Sequence, residues 1–127
     1  MAMTFLYDGD CAFCSTCASW LSRHVRPAAR VVPWQHADLA QLGVDRAQCQ
    51  QAVQWIADGP ASSGPLAIAD VLRTATGRGA PVWQAAARVL RTRPVLALAW
   101  PTYRWVARHR HQLPGGTAAC ALPPAQA

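Results

Sequence analysis

The chain opens with a short apolar run, Thr4-Phe5-Leu6-Tyr7, which is strand length. Asp8-Gly9-Asp10 then cuts it off with residues that favour a turn. After the turn the period changes. Cys14, Cys17, Ala18, Leu21 and Val25 recur at spacings of three, four and seven, which marks one face of a helix. Asp10 is the predicted N-cap of that helix and Pro27 its stop. Arg30-Val31-Val32-Pro33-Trp34 predicts a second strand with Pro33 near its end. Residues 35–52 read as a loop carrying a short helix around Ala37–Leu42. Ala52-Val53-Gln54-Trp55-Ile56 alternates and predicts a third strand. From Asp58 to Gly64 the residues favour a turn or exposed loop, and no fourth strand stands out.

The second half is helical in pattern. Pro65 suits the first turn of a helix over about Leu66–Thr76, with Leu66, Ala69, Leu72 and Ala75 as core contacts. Gly77 and Gly79 end it. A helix over Pro81–Arg91 is expected to bury Val82, Ala86, Val89 and Leu90. Pro94 separates it from a final segment, about Leu96–Leu113, bent or restarted at Pro101. Its inward residues are Tyr103, Val106 and Ala107, which leaves Arg104, Arg108 and Arg110 for a partner or anionic lipid. Strand, helix, strand, then strand and helix is an α/β order. The 127 residues suit one domain, expected over 1–113, followed by a flexible Pro-, Gly- and Ala-rich tail over 114–127.

Composition narrows the class. Hydrophobic residues make up 52% and charged ones 14%, which excludes a disordered chain. Every basic residue apart from four histidines is Arg, and every acid is Asp. Residues 1–70 hold six Asp and four Arg, whereas residues 71–127 hold eight Arg and no acid. Such a basic half offers peripheral contact with an anionic surface or acidic partner. The arginines are scattered singly and form no nucleic-acid module, so specific nucleic-acid binding is not expected. The N-terminus lacks the basic and apolar regions of a signal peptide. The apolar stretch Val95–Trp100 falls far short of the roughly 20 residues a spanning helix needs. A monomer in the cytoplasm is expected, where stable structural disulfides are rare. Five cysteines there point to catalysis, metal or packing before staples.

Cys11 and Cys14 are the candidate chemistry. A dithiol site needs one thiolate to attack and a second thiol to resolve the mixed disulfide, and two intervening residues at a helix start bring both sulfurs within reach. The unpaired N–H groups of the first turn favour Cys11 as the thiolate. Cys14, one turn on and on the apolar face, is expected to be less exposed and to resolve. Asp8 either orients the turn or accepts a proton when Cys14 ionises, and a carboxylate there opposes the Cys11 thiolate. Asp10, Trp34 and Trp55 are the candidates for contact with substrate. That substrate is a disulfide- or thiol-containing protein or small molecule, and no cofactor is implied.

Two other readings stay open. Cys17 extends the run to Cys-x-x-Cys-x-x-Cys, so Cys11, Cys14 and Cys17, with Asp8, would form a metal-binding module; the alternative for Cys17 is a core residue beside Ala18 and Leu21. No second Cys-x-x-Cys is present, and His24, His36, His109 and His111 show no ligand spacing, so they read as surface positions and no metal site is assigned. The third reading is a non-catalytic interaction domain that uses the basic half. Cys49 lies in a polar stretch, and Cys120 lies in the tail.

The segment Phe5-Leu6-Tyr7-Asp8-Gly9-Asp10-Cys11-Ala12-Phe13-Cys14 resembles the opening of the DCC family of thiol-disulfide oxidoreductases: a strand, then Tyr-Asp-Gly-x-Cys-x-x-Cys. Pro33-Trp34-Gln35, Val53–Gly59, Ala69-Asp70-Val71-Leu72 and Tyr103–Arg110 are similar to later segments of that family. Cys120 fits a Cys often found after the last of these. The resemblance covers most of residues 4–122. It implies a thioredoxin-like domain, a small central sheet flanked by helices with added C-terminal helices, in which Cys11 and Cys14 are the redox pair and Asp8 a motif residue. The chain departs from the pattern in two places. Pro60, Ser62, Ser63 and Gly64 stand where relatives carry a short strand. No Pro precedes the Val53 strand, where thioredoxins place a cis-Pro.

Overall fold

A computed structural model describes residues 3–58, 61–110 and 112. The apolar opening forms β1 (Thr4–Tyr7), and the Cys-x-x-Cys segment leads into α1 (Ala12–His24). The chain returns through β2 (Arg30–Pro33), which pairs parallel with β1 in the register Phe5–Val31 and Leu6–Val32. A parallel pair needs a crossover, and α1 supplies it. After a 3-10 turn at Trp34–His36 come α2 (Leu39–Leu42), α3 (Arg46–Gln51) and β3 (Gln54–Ile56). β3 lies antiparallel against β1 on the side away from β2. β4 (Ser62–Ser63) adds antiparallel to β3, giving the sheet order β2-β1-β3-β4. Three helices follow: α4 (Pro65–Arg73), α5 (Ala80–Leu90) and α6 (Arg93–His109). This is the expected mixed α/β, thioredoxin-like architecture.

Strand alternation splits the core. Phe5 and Trp55 pack on one face of the sheet with Ala29 and with Ala67 and Val71 of α4. Leu6 and Ile56 pack on the other with Trp34, Val44 and Cys49. A third cluster joins Val25 at the end of α1 to Leu72, Ala75 and Ala87, which ties α4 and α5 to the crossover helix. Burying a side chain such as Leu6 or Val71 contributes about 1.5–3 kcal/mol.

Several sequence expectations need correction. The fourth strand exists. Its two serines are held by buried partners: Ser63 donates to Gln54 Oε1 at 2.8 Å and Ser62 to Asp70 Oδ2 at 2.6 Å. Two residues are too few to show a hydrophobic period. α3 was hidden in the expected loop, although Asp45 and Gln48 form a reciprocal capping box at its start. Pro94 begins α6 rather than preceding it, and the helix continues through Pro101. Val82 and Val89 are not core; they stand 68% and 57% exposed, and Ala87 is the buried residue of α5. The tail from Pro114 onward, Cys120 and His111 lie outside the described residues, as do Gly59 and Pro60.

The β4–α4 junction depends on a glycine. Gly64 has φ 58° and ψ −131°, and a Cβ there would lie 2.9 Å from the Trp100 ring of α6. Gly64→Ala therefore meets both backbone strain and a clash. It is expected to cost about 1–3 kcal/mol, read as a lowered urea midpoint.

Candidate functional site

The turn after β1 is built by its own polar groups. Asp8 Oδ1 accepts the Asp10 N–H at 3.1 Å, and the Cys11 N–H reaches the Asp8 carbonyl at 3.3 Å. Gln35, just past β2, clamps the same turn. Its amide donates to Asp8 Oδ1 at 2.9 Å, and its Oε1 accepts the Gly9 N–H at 2.9 Å. The approach is close enough that a Cβ on Gly9 would fall 2.6 Å from Pro33 Cβ. The Pro33-Trp34-Gln35 segment therefore earns its place by seating the turn that presents the cysteines.

The N-cap of α1 is Cys11, not Asp10. The Cys11 Sγ accepts the Cys14 N–H at 3.4 Å, while Asp10 is exposed and its side chain caps nothing. The sulfur thus occupies the position where a capping oxygen normally accepts from the first turn. Cys11 is fully buried and disulfide-bonded. Cys14, Cys17 and Cys49 are free thiols, so none of them is its partner. The expected order of exposure is reversed: Cys14, not Cys11, is the partly open member of the pair.

Cys14 has a cation beside it. Arg110, at the C-cap of α6, donates from Nη1 to Cys14 Sγ at 3.2 Å and from Nη2 to Asp8 Oδ2 at 3.3 Å. Arg110 is only 7% exposed, so it is not the surface arginine its sequence neighbours suggested. Asp8, Arg110 and Cys14 form one chain of contacts, oriented from the far side by Gln35. Burial pushes the Cys14 thiol up; the Arg110 charge and hydrogen bond pull it down; Asp8 pushes it up again, and the net direction is upward. Cys49 is different in kind: burial, with Asp45 adding to it, pushes its thiol up to about 11, and it stays protonated in the core.

Cys14 also opens onto a cavity of about 620 Å³ between α1, α4 and α6. Phe13, Ile68, Tyr103 and Val106 are among its walls, with Arg110 at the Cys14 end. The size is that of an ordinary small-ligand pocket. Tyr103 locks α6 across this space, its hydroxyl accepting the Val53 N–H at 3.0 Å. Its phenol is pushed up by burial and stays protonated.

The other sequence candidates sort plainly. Asp8 joins the site. Trp34 and Trp55 are core residues on opposite faces of the sheet, and neither is among the cavity walls. Cys17 is exposed at the cavity rim rather than packed with Ala18. Among the described residues no three His, Cys, Asp or Glu side chains are placed to hold a metal ion, and Cys11, bonded to another sulfur, is not available as a ligand. Ala52 precedes Val53, and among the described residues no peptide bond is cis. Sequence reading missed Gln35 and Arg110 as site residues. Their signal lay in the two segments that carry the family resemblance far from the cysteines.

Comparison with protein families matches residues 5–116 to the description DCC1-like thiol-disulfide oxidoreductase. Comparison with curated proteins and with solved structures returns no match.

Proposed function

We propose, for a chain that belongs to the DCC1-like thiol-disulfide oxidoreductase family, that exchange runs through Cys11 and Cys14 with Arg110 and Asp8 controlling Cys14. In the reducing direction an external thiol first opens the bond at Cys11, becoming oxidised as it does so, and the Cys11 thiolate released then attacks one sulfur of a substrate disulfide. That S–S bond breaks, one substrate thiolate leaves, and the other substrate sulfur stays bonded to Cys11. The Cys14 thiolate then attacks Cys11 Sγ. The Cys11–substrate bond breaks, the second thiolate leaves, and the two electrons lost by the dithiol appear in the substrate thiols. The reverse sequence oxidises a dithiol.

The single observation that carries this reading is the 3.2 Å contact between Arg110 Nη1 and Cys14 Sγ. A buried arginine on a half-buried thiol favours the thiolate form, which a resolving cysteine needs and a packing cysteine does not. Cys11 is bonded in a disulfide to a sulfur other than that of Cys14, which stays free one turn on, so the proposed exchange begins with reduction of that bond. In a reducing compartment such as the cytoplasm a bond at Cys11 is transient, as turnover requires. The substrate is a disulfide- or thiol-bearing protein or small molecule that reaches the pair where Cys14 meets the cavity.

Trapping tests the assignment. Cys14→Ser is expected to accumulate mixed disulfides at Cys11, identified by mass spectrometry without reduction, and Cys11→Ser to accumulate none at Cys14. Equal trapping by both variants, or by neither, removes the assigned roles.

A further inference from the structure

The outer face of α6 is a feature that the redox chemistry leaves unused. The helix has 17 residues, about 25 Å of length, and none of them is buried. Its inner side, with Val95, Tyr103 and Val106, lines the cavity beside Cys14. Its outer side runs through Pro94, Pro101, Trp105 and Arg108 at the steps that keep one helical face, with Leu98 at the border, where it also lines the edge of the cavity. Leu98 is 75% exposed and Trp105 53% exposed. Leu98 meets the cavity edge and Trp105 stacks on His109 with ring centroids 4.5 Å apart, yet each leaves more than half of its surface in water. Arg93 stands exposed at one end of this stripe, and Arg104 and Arg108 at the other. No acid occurs in α6 or anywhere after Asp70. Asp70 itself is buried and held by Arg91 at 2.7 Å.

We propose that this face of α6 docks on an anionic phospholipid surface, with Leu98 and Trp105 entering the headgroup boundary and Arg93, Arg104 and Arg108 meeting phosphates. Charge complementarity selects this occupant. A second copy of the chain would set arginines against arginines. A nucleic acid would satisfy the arginines and leave Leu98 and Trp105 without an apolar partner. A bilayer interface satisfies both. No described helix is long and apolar enough to cross a membrane, so α6 lies along the surface. Docking there brings the redox pair to the membrane, because the residue that ends α6 is Arg110, the cation on Cys14.

Flotation of the full chain with vesicles tests this without reference to thiol chemistry. Vesicles of phosphatidylcholine with one part in four phosphatidylglycerol are expected to bind at least about tenfold more tightly than phosphatidylcholine alone, and less tightly at about 0.5 M than at about 0.1 M salt. Leu98→Ser/Trp105→Ser is expected to weaken binding about tenfold or more. Arg104→Ser/Arg108→Ser is expected to abolish the preference for the anionic lipid. Circular dichroism matching that of the unmodified chain separates these losses from misfolding. Equal binding to both vesicle types, or no effect of Leu98→Ser/Trp105→Ser, overturns the proposal. So does a dimer in sedimentation equilibrium that this variant dissociates, or duplex DNA binding that outcompetes anionic vesicles.

Discussion

Asp8→Ala is expected to lower the stability of the fold by about 3–5 kcal/mol, the largest single effect at the site. The carboxylate is buried and takes three hydrogen bonds, from the Asp10 N–H, the Gln35 amide and Arg110. Both members of the Asp8–Arg110 pair are about nine-tenths shielded, at 11% and 9% side-chain exposure. Removing the acid takes the Asp8 carboxylate away from a guanidinium held in that shielded place, which costs far more than the pair contributes. The reverse truncation, Arg110→Met, keeps an apolar stem of similar length but strands the carboxylate. The double variant Asp8→Ala/Arg110→Met removes both charges together. Urea unfolding is expected to show a large loss for Asp8→Ala and substantial recovery in the double variant, with a coupling energy well above the additive limit of about 0.5 kcal/mol. A loss below about 1 kcal/mol for Asp8→Ala would mean that the pair behaves as an exposed one.

The same pair explains how much of the site was legible from the chain. Cys11, Cys14 and Asp8 lie within seven residues, and strand, turn and helix signals place them together; local chemistry is enough to find them. Arg110 is 102 residues from Asp8 in sequence, and its own surroundings, between Arg108 and His109 on one side and polar residues on the other, look like those of a solvated helix end. Nothing local says that a chain ending one helix will fold back onto the start of another. Gln35 sits between these cases, close to a strand end whose register with β1 brings it beside the turn.

The fold errors have the same origin. β1, β2 and β3 were readable because their alternation feeds two core faces. β4 was not, because two serines pair through polar partners. Asp10 met the residue preferences of an N-cap, yet the sulfur of Cys11, one residue on, holds the position. The distinction is a matter of φ and ψ at one junction, and N-cap preferences do not resolve a shift of one residue. Periodicity alone points Val82 and Val89 inward. Only the packing of Ala87 against the end of α1 and α4 decides which face of α5 is covered.

Arg110→Met is expected to slow resolution of the mixed disulfide at neutral pH by roughly 3- to 10-fold. A hydrogen bond to a charged group contributes about 1.5–3 kcal/mol, and losing it from the thiolate lowers that form by roughly one to two powers of ten. The thiolate that remains is more basic and more nucleophilic, which returns about half of the loss on a logarithmic scale. The sign with pH follows from the same groups. Burial holds the Cys14 thiol above its ordinary range, so the rate climbs with pH until the thiolate dominates. Without Arg110 the two influences that lower it are gone, the inflection moves further up, and the variant closes on the parent chain in alkaline solution. Stopped-flow measurement of resolution across pH reads this directly. Capture of substrate in the Cys14→Ser background, with and without Arg110→Met, reads the Cys11 step alone and is expected to be unchanged. A uniform slowing at every pH, with the inflection fixed, would make Arg110 a packing residue and leave Cys14 without its assigned cation.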